Sequence, residues 1–594
     1  MKITYLMPIA LFVLLAIFFM GLPDLRRCRL PGGGGCPRGL DRVDAGIMAA
    51  ISIIYAAIAF TGLGNTASPQ SFADMRGAEA VIELPGDVYP SRIMLFSGVG
   101  EGSYSFEFSA DGEEWEAAGD FSQDYVAILK WNEFLPAAFT VPKYVRITGA
   151  GAVYLGEAAF YDGDGALIPV QANKGAARLC DEQDTAQPRQ SFLNSTYFDE
   201  IYHARTAWEN LNGIYPYEIS HPPLGKLIIA IGIGIFGMSP FGWRFMGTLF
   251  GVMMLPIIYI FAKKLFGGRS VPTLCALLLA TDFMHFVQTR IATIDTYGVI
   301  FIMLMYLFMY LFIAEEGEGA ISRRARRSLA ASGIFFGLGA ASKWTAIYAG
   351  GGLAVIWAAY WVINRRRGFK EFIKNVGLCL IFFVLIPAGI YYISYAPYGA
   401  AAGLDAPGMF FTREYADIVI DNQKFMFSYH AGLVAEHPYS SKWYQWMLDI
   451  RPILYYLDYF DDGTRASFGA FVNPALCWGG LISLFVLLTT AIARRDRAAA
   501  FILAGYLAQL LPWILISRLT FEYHYFPCTI FLVLSLGYSF KLMRENRRAW
   551  KWYLGGFAAV SAGLFVMFYP ALSGLVVDNA AATKLLGWLP TWPF

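Results

Sequence analysis

The sequence predicts a polytopic α-helical membrane protein that carries one inserted antiparallel β-domain. Three observations point there. The 594 residues are 57% hydrophobic and only 15% charged, against about 25% charged in soluble domains. Apolar stretches of membrane-crossing length recur along the chain, separated by basic connections. Between the second and third of them, the pattern changes to the period-two alternation of half-buried strands. A net charge of +1 gives no basis for nucleic-acid binding.

A span needs ~20 apolar residues. Twelve stretches qualify: 4–22, 44–63, 243–262, 271–289, 292–313, 327–346, 348–364, 373–396, 470–492, 498–517, 523–540 and 553–571. The first has Lys2 ahead of it, as a signal peptide would, but no small-residue cleavage site follows. Arg26, Arg27 and Arg29 come next instead, so it reads as an uncleaved span with its N-terminus outside. Alternate connections are basic: Arg26 to Arg42 (with Arg38), Lys263/Lys264/Arg269, Arg323/Arg324/Arg326/Arg327, Arg365/Arg366/Arg367/Lys370/Lys374, Arg494/Arg495/Arg497 and Lys541 to Lys551. All fall on one side, which the positive-inside rule makes cytoplasmic. Both termini, residues 64–242 and residues 397–469 are then outside. Leu224 to Met238 is apolar too, but a crossing there would invert everything after it. Opened by Pro222-Pro223, it reads as a helix in the outer interface.

The expected organisation is therefore two N-terminal helices (1–65), the β-domain (66–172), a first outer loop with an acidic motif and interfacial helix (173–242), a helical block (243–396), a second outer loop (397–469) and C-terminal helices with an outer tail (470–594). In the β-domain, Tyr104 to Phe108 and Tyr144 to Ile147 alternate, and Ser109-Ala110-Asp111-Gly112 supplies a turn. Such spacing argues a small β-sandwich. With Trp115 and Leu155-Gly156-Glu157, the run resembles discoidin-like or galactose-binding-like domains, a likeness that implies either a carbohydrate-binding or a docking module. The seven cysteines (Cys28, Cys36, Cys180, Cys275, Cys379, Cys477, Cys528) show no CxxC spacing, and only Cys180 clearly lies in an outer loop, which argues against a disulfide framework.

The chemistry concentrates in Tyr197-Phe198-Asp199-Glu200-Ile201-Tyr202-His203 and His221-Pro222-Pro223-Leu224-Gly225-Lys226. Residues 197–210 are expected to be helical, putting Asp199 and His203 on one face while Asp199 and Glu200 diverge by about 100°. Diverging carboxylates do not make the paired acids of a glycosidase, which face each other ~5–10 Å apart. One acting as base and the other as orienter fits better. Lys226, Arg244, Arg290 with Asp295, Lys343 with Trp344, and Arg518 with His524 gather at outer span ends. Any one could be a snorkelling side chain; jointly they suggest a site for an anionic group such as a lipid-linked phosphate. The second outer loop adds His437, Lys442-Trp443-Tyr444 and Arg451-Pro452.

These motifs, with Phe241-Gly242-Trp243-Arg244, Ser342-Lys343-Trp344-Thr345 and Tyr523-His524-Tyr525-Phe526-Pro527, resemble the protein O-mannosyltransferases, the bacterial branch more than the fungal. The resemblance implies a GT-C fold and an inverting transfer of mannose from a polyprenyl-phosphate carrier to Ser or Thr hydroxyls of a protein acceptor, including one emerging from Sec translocation, at the outer face of the cell membrane. It implies Asp199 as catalytic base beside Glu200, and His221, Lys226, Arg244, Arg290, Asp295, Lys343, Lys442, Arg451 and His524 around the donor phosphate and sugar. His203 lies one residue later than the family's usual histidine and receives no role. Metal need is left open by the sequence: Asp199, Glu200 and the histidines can hold a divalent cation, while Lys and Arg can do the phosphate work without one. Other lipid-phosphate sugars or glycan and lipid acceptors are the nearer rival reading. A transporter is the distant one, since it would show inverted repeats and broken mid-membrane helices.

Overall fold

The computed structural model describes every residue except 1–5, 26, 29–38, 152 and 316–319. The start of the first expected span, the basic residues Arg26, Arg29 and Arg38, and Cys36 lie outside the described residues. The chain divides into two compact units: one of residues 1–61, 219–226 and 247–594, the other of residues 62–218 and 227–246.

The first unit is helical. Among the described residues, nine helices are long and apolar enough to cross a membrane: Arg42–Phe60, Pro240–Phe266, Asp295–Ile313, Thr345–Ile363, Phe369–Ala401, Pro474–Arg494, Arg497–Leu515, Glu522–Asn546 and Trp550–Phe568. A tenth is Ser270–Ala280 with Phe283–Thr289, bent by 57°. The sequence pattern gave this stretch as one continuous span over 271–289. It breaks because Asp282 caps the second half, accepting the amide of His285 at 3.0 Å and of Asn473 at 3.0 Å. Leu6–Met20 and Arg323–Ser342 are also helical, but the first has 15 residues and the second opens with four arginines in five positions. Helix starts follow local chemistry. Asp41 and Asp44 form a capping box on Arg42–Phe60, and Ser322, Asn473 and Asp496 cap three others. Phe369–Ala401 contains a π-turn over Ile381–Leu385, ahead of Pro387. There the carbonyl oxygen of Phe382 comes so near Gly333 that a Cβ on that glycine would lie 2.1 Å from it.

This unit also holds a hairpin that alternation did not reveal: Ile453–Tyr459 pairs antiparallel with Thr464–Ala470. Val577–Asp578 adds a short third strand.

The second unit contains two five-stranded antiparallel sheets. One orders 73–74, 154–161, 92–97 and 131–134, with 167–168 on the 154–161 strand; the other orders 171–172, 79–83, 144–151, 102–109 and 116–123. Ile93, Leu95 and Phe160 from the first and Ile82, Tyr104, Phe106, Val145 and Ile147 from the second share one buried core. Their alternation is what fixes register, because a one-residue slip would expose every one of them. Gly112 takes φ +86° in the turn, where Asp111 accepts two backbone amides. In the same unit, Glu200–Leu211 is a 12-residue helix carrying the acidic motif.

Candidate functional site

In the second unit, the acidic motif is a tight turn rather than the interior of a helix. The helix expected over 197–210 starts at Glu200, and Asp199 is its N-cap residue. The reason is Phe198, whose φ of +48° is left-handed, a conformation costly for a bulky side chain. The turn is held from both sides. Glu200 N–H donates to the Tyr197 carbonyl at 3.1 Å, and Tyr197 N–H donates back to Glu200 Oε2 at 3.3 Å. Asp199 is half-buried, and its carbonyl accepts the amides of Tyr202 and His203 at 3.1 and 3.2 Å. His203 Nδ1 lies 3.9 Å from Glu218 Oε2.

Arg244 is expected at the donor phosphate, and its guanidinium lies in the acidic turn. Its guanidinium grips Glu200 in a two-pronged pair, Nε to Oε1 and Nη2 to Oε2, both 2.7 Å. It also donates to the carbonyls of Leu63, Phe192 and Ser195 at 2.8, 2.6 and 3.0 Å, and it lies over the Tyr197 ring at 4.7 Å. Both side chains are essentially without solvent exposure (1% and 0%). All three guanidinium nitrogens are therefore engaged within the protein. Arg244 ties the acidic turn to the loops before it, and Glu200 is the counter-charge that this requires.

In the first unit, a cavity of about 250 Å³ is lined by His221, Lys343, Trp344, Tyr348, His430, Trp513 and Arg518, among others. Lys343 is anchored by Asp295 at 2.6 Å and lies 5.4 Å over the Tyr523 ring. Trp344 is oriented by a 3.0 Å bond to the Tyr391 hydroxyl. The rings of His221 and His430 meet at 5.2 Å, joined through Ser220. Its hydroxyl contacts His221 Nδ1 at 3.1 Å, and its carbonyl contacts His430 Nε2 at 2.8 Å. Burial, then the nearby His221, Arg518 and Lys343 charges, push the His430 imidazole down to about 4. With the Lys343 and Arg518 charges on its wall, the cavity suits an anion.

The other expected residues distribute around this cavity unevenly. Lys226, fully buried, donates to the His221 carbonyl at 2.9 Å. His524 packs edge-on to cavity-lining Trp513 at 4.5 Å. Exposed Lys442 reaches the carbonyl of cavity-lining Ser517 at 3.4 Å. Arg451 bonds the Pro438 carbonyl, and Arg290 bonds the Thr61 carbonyl at 2.9 Å and lies over Phe286 at 4.8 Å. Neither lines the cavity. His430 and Trp513 carry no motif in the sequence, since each sits amid ordinary helical neighbours.

A possible cation cluster lies elsewhere. Glu157, Asp181 and Glu182 of the second unit bring ligand atoms within 4.8 Å of one another. Each already accepts internal donors: Glu157 the Glu182 amide at 3.0 Å, Asp181 the Ser71 hydroxyl at 2.9 Å, and Glu182 the Ser71 amide at 2.9 Å.

A family model described as dolichyl-phosphate-mannose-protein mannosyltransferase matches residues 220–391. One for the C-terminal four-helix region of protein O-mannosyltransferase matches residues 416–592. The chain belongs to the protein O-mannosyltransferase family. The matched ranges take in every expected donor-site residue, while Asp199 and Glu200 precede them. The polyprenol-phosphate-mannose–protein mannosyltransferase of Mycobacterium tuberculosis is 28% identical over 453 residues, covering 66% of this chain and 86% of the relative. Its counterpart from Mycolicibacterium smegmatis is 27% identical over 455 residues, covering 66% and 87%. The Saccharomyces cerevisiae Pmt1–Pmt2 complex, solved with its sugar donor, superposes with a TM-score of 0.57 at 14% identity, covering 68% of this chain and 90% of that one. At that identity the likeness shows a shared fold, the GT-C architecture of membrane glycosyltransferases.

Proposed function

We propose that this O-mannosyltransferase family member moves mannose from polyprenyl-phosphate mannose to Ser or Thr hydroxyls of proteins, with inversion, at the extracytoplasmic face of the cell membrane. The observation that carries the reading is the cavity holding Lys343, Arg518 and two imidazoles in a chain of this family. A phosphate monoester leaving group gains negative charge as its bond to the sugar breaks, so preformed cations there stabilise the transition state selectively. In the reaction, the acceptor oxygen bonds to the anomeric carbon, the bond from that carbon to the phosphate oxygen breaks, and the hydroxyl proton passes to a base. Asp199 takes that role. Its backbone is fixed by the Glu200–Arg244 pair, so Glu200 and Arg244 act as positioning residues. Twelve spans with both termini outside, and a discoidin-like β-sandwich that binds carbohydrate on the acceptor, complete the reading. The period-two strands and their common core support the sandwich.

The test is transfer of radiolabelled mannose from polyprenyl-phosphate mannose to membrane proteins. Wild type should label protein, and Asp199→Asn should lose at least about a hundredfold in rate, as loss of a general base does. Labelling that persists in Asp199→Asn sinks the assignment of the base. No labelling by wild type, with transfer from another lipid-phosphate sugar, sinks the donor.

A further inference from the structure

Three tyrosines from separate segments of the second unit come together beside the acidic turn. Tyr125 stands on the turn between strands 116–123 and 131–134, Tyr202 lies in the first turn of Glu200–Leu211, and Tyr217 lies in the loop after that helix. Their rings are nearly parallel and evenly spaced: Tyr125 to Tyr202 at 6.1 Å and 15°, Tyr202 to Tyr217 at 6.4 Å and 4°. Each ring has its own support. The Asp124 carboxylate accepts the Val126 and Ala127 amides at 2.9 and 3.1 Å, which shapes the turn that presents Tyr125. Glu209 accepts the Tyr217 amide at 2.7 Å and the Arg205 guanidinium at 2.8 Å, and that guanidinium lies 3.8 Å over the Tyr217 ring. The β-domain meets the helix again where Phe72 packs edge-on to Trp208 at 6.1 Å, and Trp131 N–H donates to the Ser195 hydroxyl at 3.2 Å. Rings that served packing alone would be covered, but Tyr125 and Tyr217 are 39% and 42% exposed.

The central ring adjoins the proposed base. The Tyr202 amide donates to the Asp199 carbonyl at 3.1 Å, and residues three apart on a helix share a face. An acceptor whose hydroxyl meets Asp199 therefore brings its neighbouring residues to these rings. In an extended chain, side chains on one face recur every ~6.4–6.8 Å, and less where the chain twists. The ring-to-ring steps of 6.1 and 6.4 Å match that repeat. We propose that Tyr125, Tyr202 and Tyr217 bind the acceptor polypeptide as an extended segment, with apolar side chains at alternate positions seated on successive rings. A helical acceptor fails this match, because its residues two apart point to opposite sides. The rings thus select acceptor sites in unfolded or extended stretches. Held in advance by Asp124 and Glu209, they lose little freedom when the chain binds. That the bound segment is the acceptor rests on the function proposed above.

The experiment titrates full-length protein in lipid nanodiscs, without donor, with short fluorescent peptides. One carries a single Thr and valines at alternate positions; the other has the same residues with valines at every third position. Wild type should bind the first about tenfold more tightly. Tyr125→Ala and Tyr217→Ala should each weaken that peptide about tenfold and bring the two peptides level, while Tyr125→Phe, which keeps the ring, should bind as wild type does. In mannose transfer the loss should fall on the peptide KM and not on kcat. Equal affinity of wild type for the two peptides, or unchanged affinity in both alanine variants, overturns the proposal. So does a lower kcat with peptide affinity intact, which would make the rings structural. A mannose oligosaccharide whose binding depends on the rings while peptide binding does not would give the surface to carbohydrate instead. If one alanine variant fails to fold, the other decides. Ring-dependent peptide binding without mannose transfer would keep the binding surface and sink the proposed function, and transfer with ring-independent binding would do the reverse.

Discussion

A guanidinium does different work depending on what already fills its nitrogens. Arg244 has all of its nitrogens engaged with Glu200 and three carbonyls, whereas Arg518 is half-buried on the wall of the cavity. Arg244→Gln therefore strands the Glu200 carboxylate in a dry site. It should destabilise the second unit by about 3–5 kcal/mol, read as a lower melting temperature and faster proteolysis. Arg518→Gln should leave melting unchanged and raise the donor KM about 10- to 150-fold, the worth of one charge-assisted hydrogen bond of about 1.5–3 kcal/mol. Unchanged KM in Arg518→Gln would remove that residue from the site. This contrast was not legible in the sequence. Both residues read there as cations at outer span ends, and the carbonyls of Leu63, Phe192 and Ser195 that engage Arg244 come from loops whose paths no local pattern encodes. The turn at Asp199 was not legible, because a left-handed Phe198 has no signature.

Helices in this chain were legible wherever apolar length and basic flanks coincide, and every expected span is helical in part. What local pattern could not give was where helices interrupt. Asp282 breaks one expected span because it is recruited as a cap by His285 and Asn473, the latter distant in sequence. The 453–470 hairpin was missed because its second strand is buried at six of seven positions, so no alternation marks it. Helix pairing is set by small residues. Gly333 and Gly337 form a GxxxG step on Arg323–Ser342, facing Phe382 and Pro387 at distances that exclude a Cβ. Gly333→Leu should push the two helices apart and cost at least about 1–3 kcal/mol, seen as reduced yield of monodisperse protein. Wild-type yield and melting in that variant would show that the contact carries no packing energy.

Across the whole chain, buried ionisable groups pull the pH dependence of stability in opposite directions. His430, depressed from 6.5 to about 4, costs stability as pH falls from 6.5 toward 4, because the unfolded chain takes up the proton first. Glu157, raised by burial to about 7, acts with the opposite sign: the stability it allows is present below the ordinary carboxyl range and is lost as pH rises through about 7. His430→Gln, which keeps a donor for the Ser220 carbonyl, should therefore gain melting temperature relative to wild type as pH falls from 6.5 toward 4. Parallel melting curves over that range would mean the imidazole titrates normally.

The Asn194-Ser195-Thr196 stretch has a different consequence, one of biosynthesis. Asn194 is only 4% exposed, and its amide nitrogen donates to the Arg189 carbonyl at 2.8 Å, in the segment leading to the acidic turn. A sugar attached to that nitrogen has no room in the folded chain. In a production host that N-glycosylates translocated chains, glycan addition and folding would compete for the same side chain during synthesis. Each modified copy would be lost before Phe198 and Asp199 could form their turn, so a host without that machinery is the one in which this chain reaches its native state.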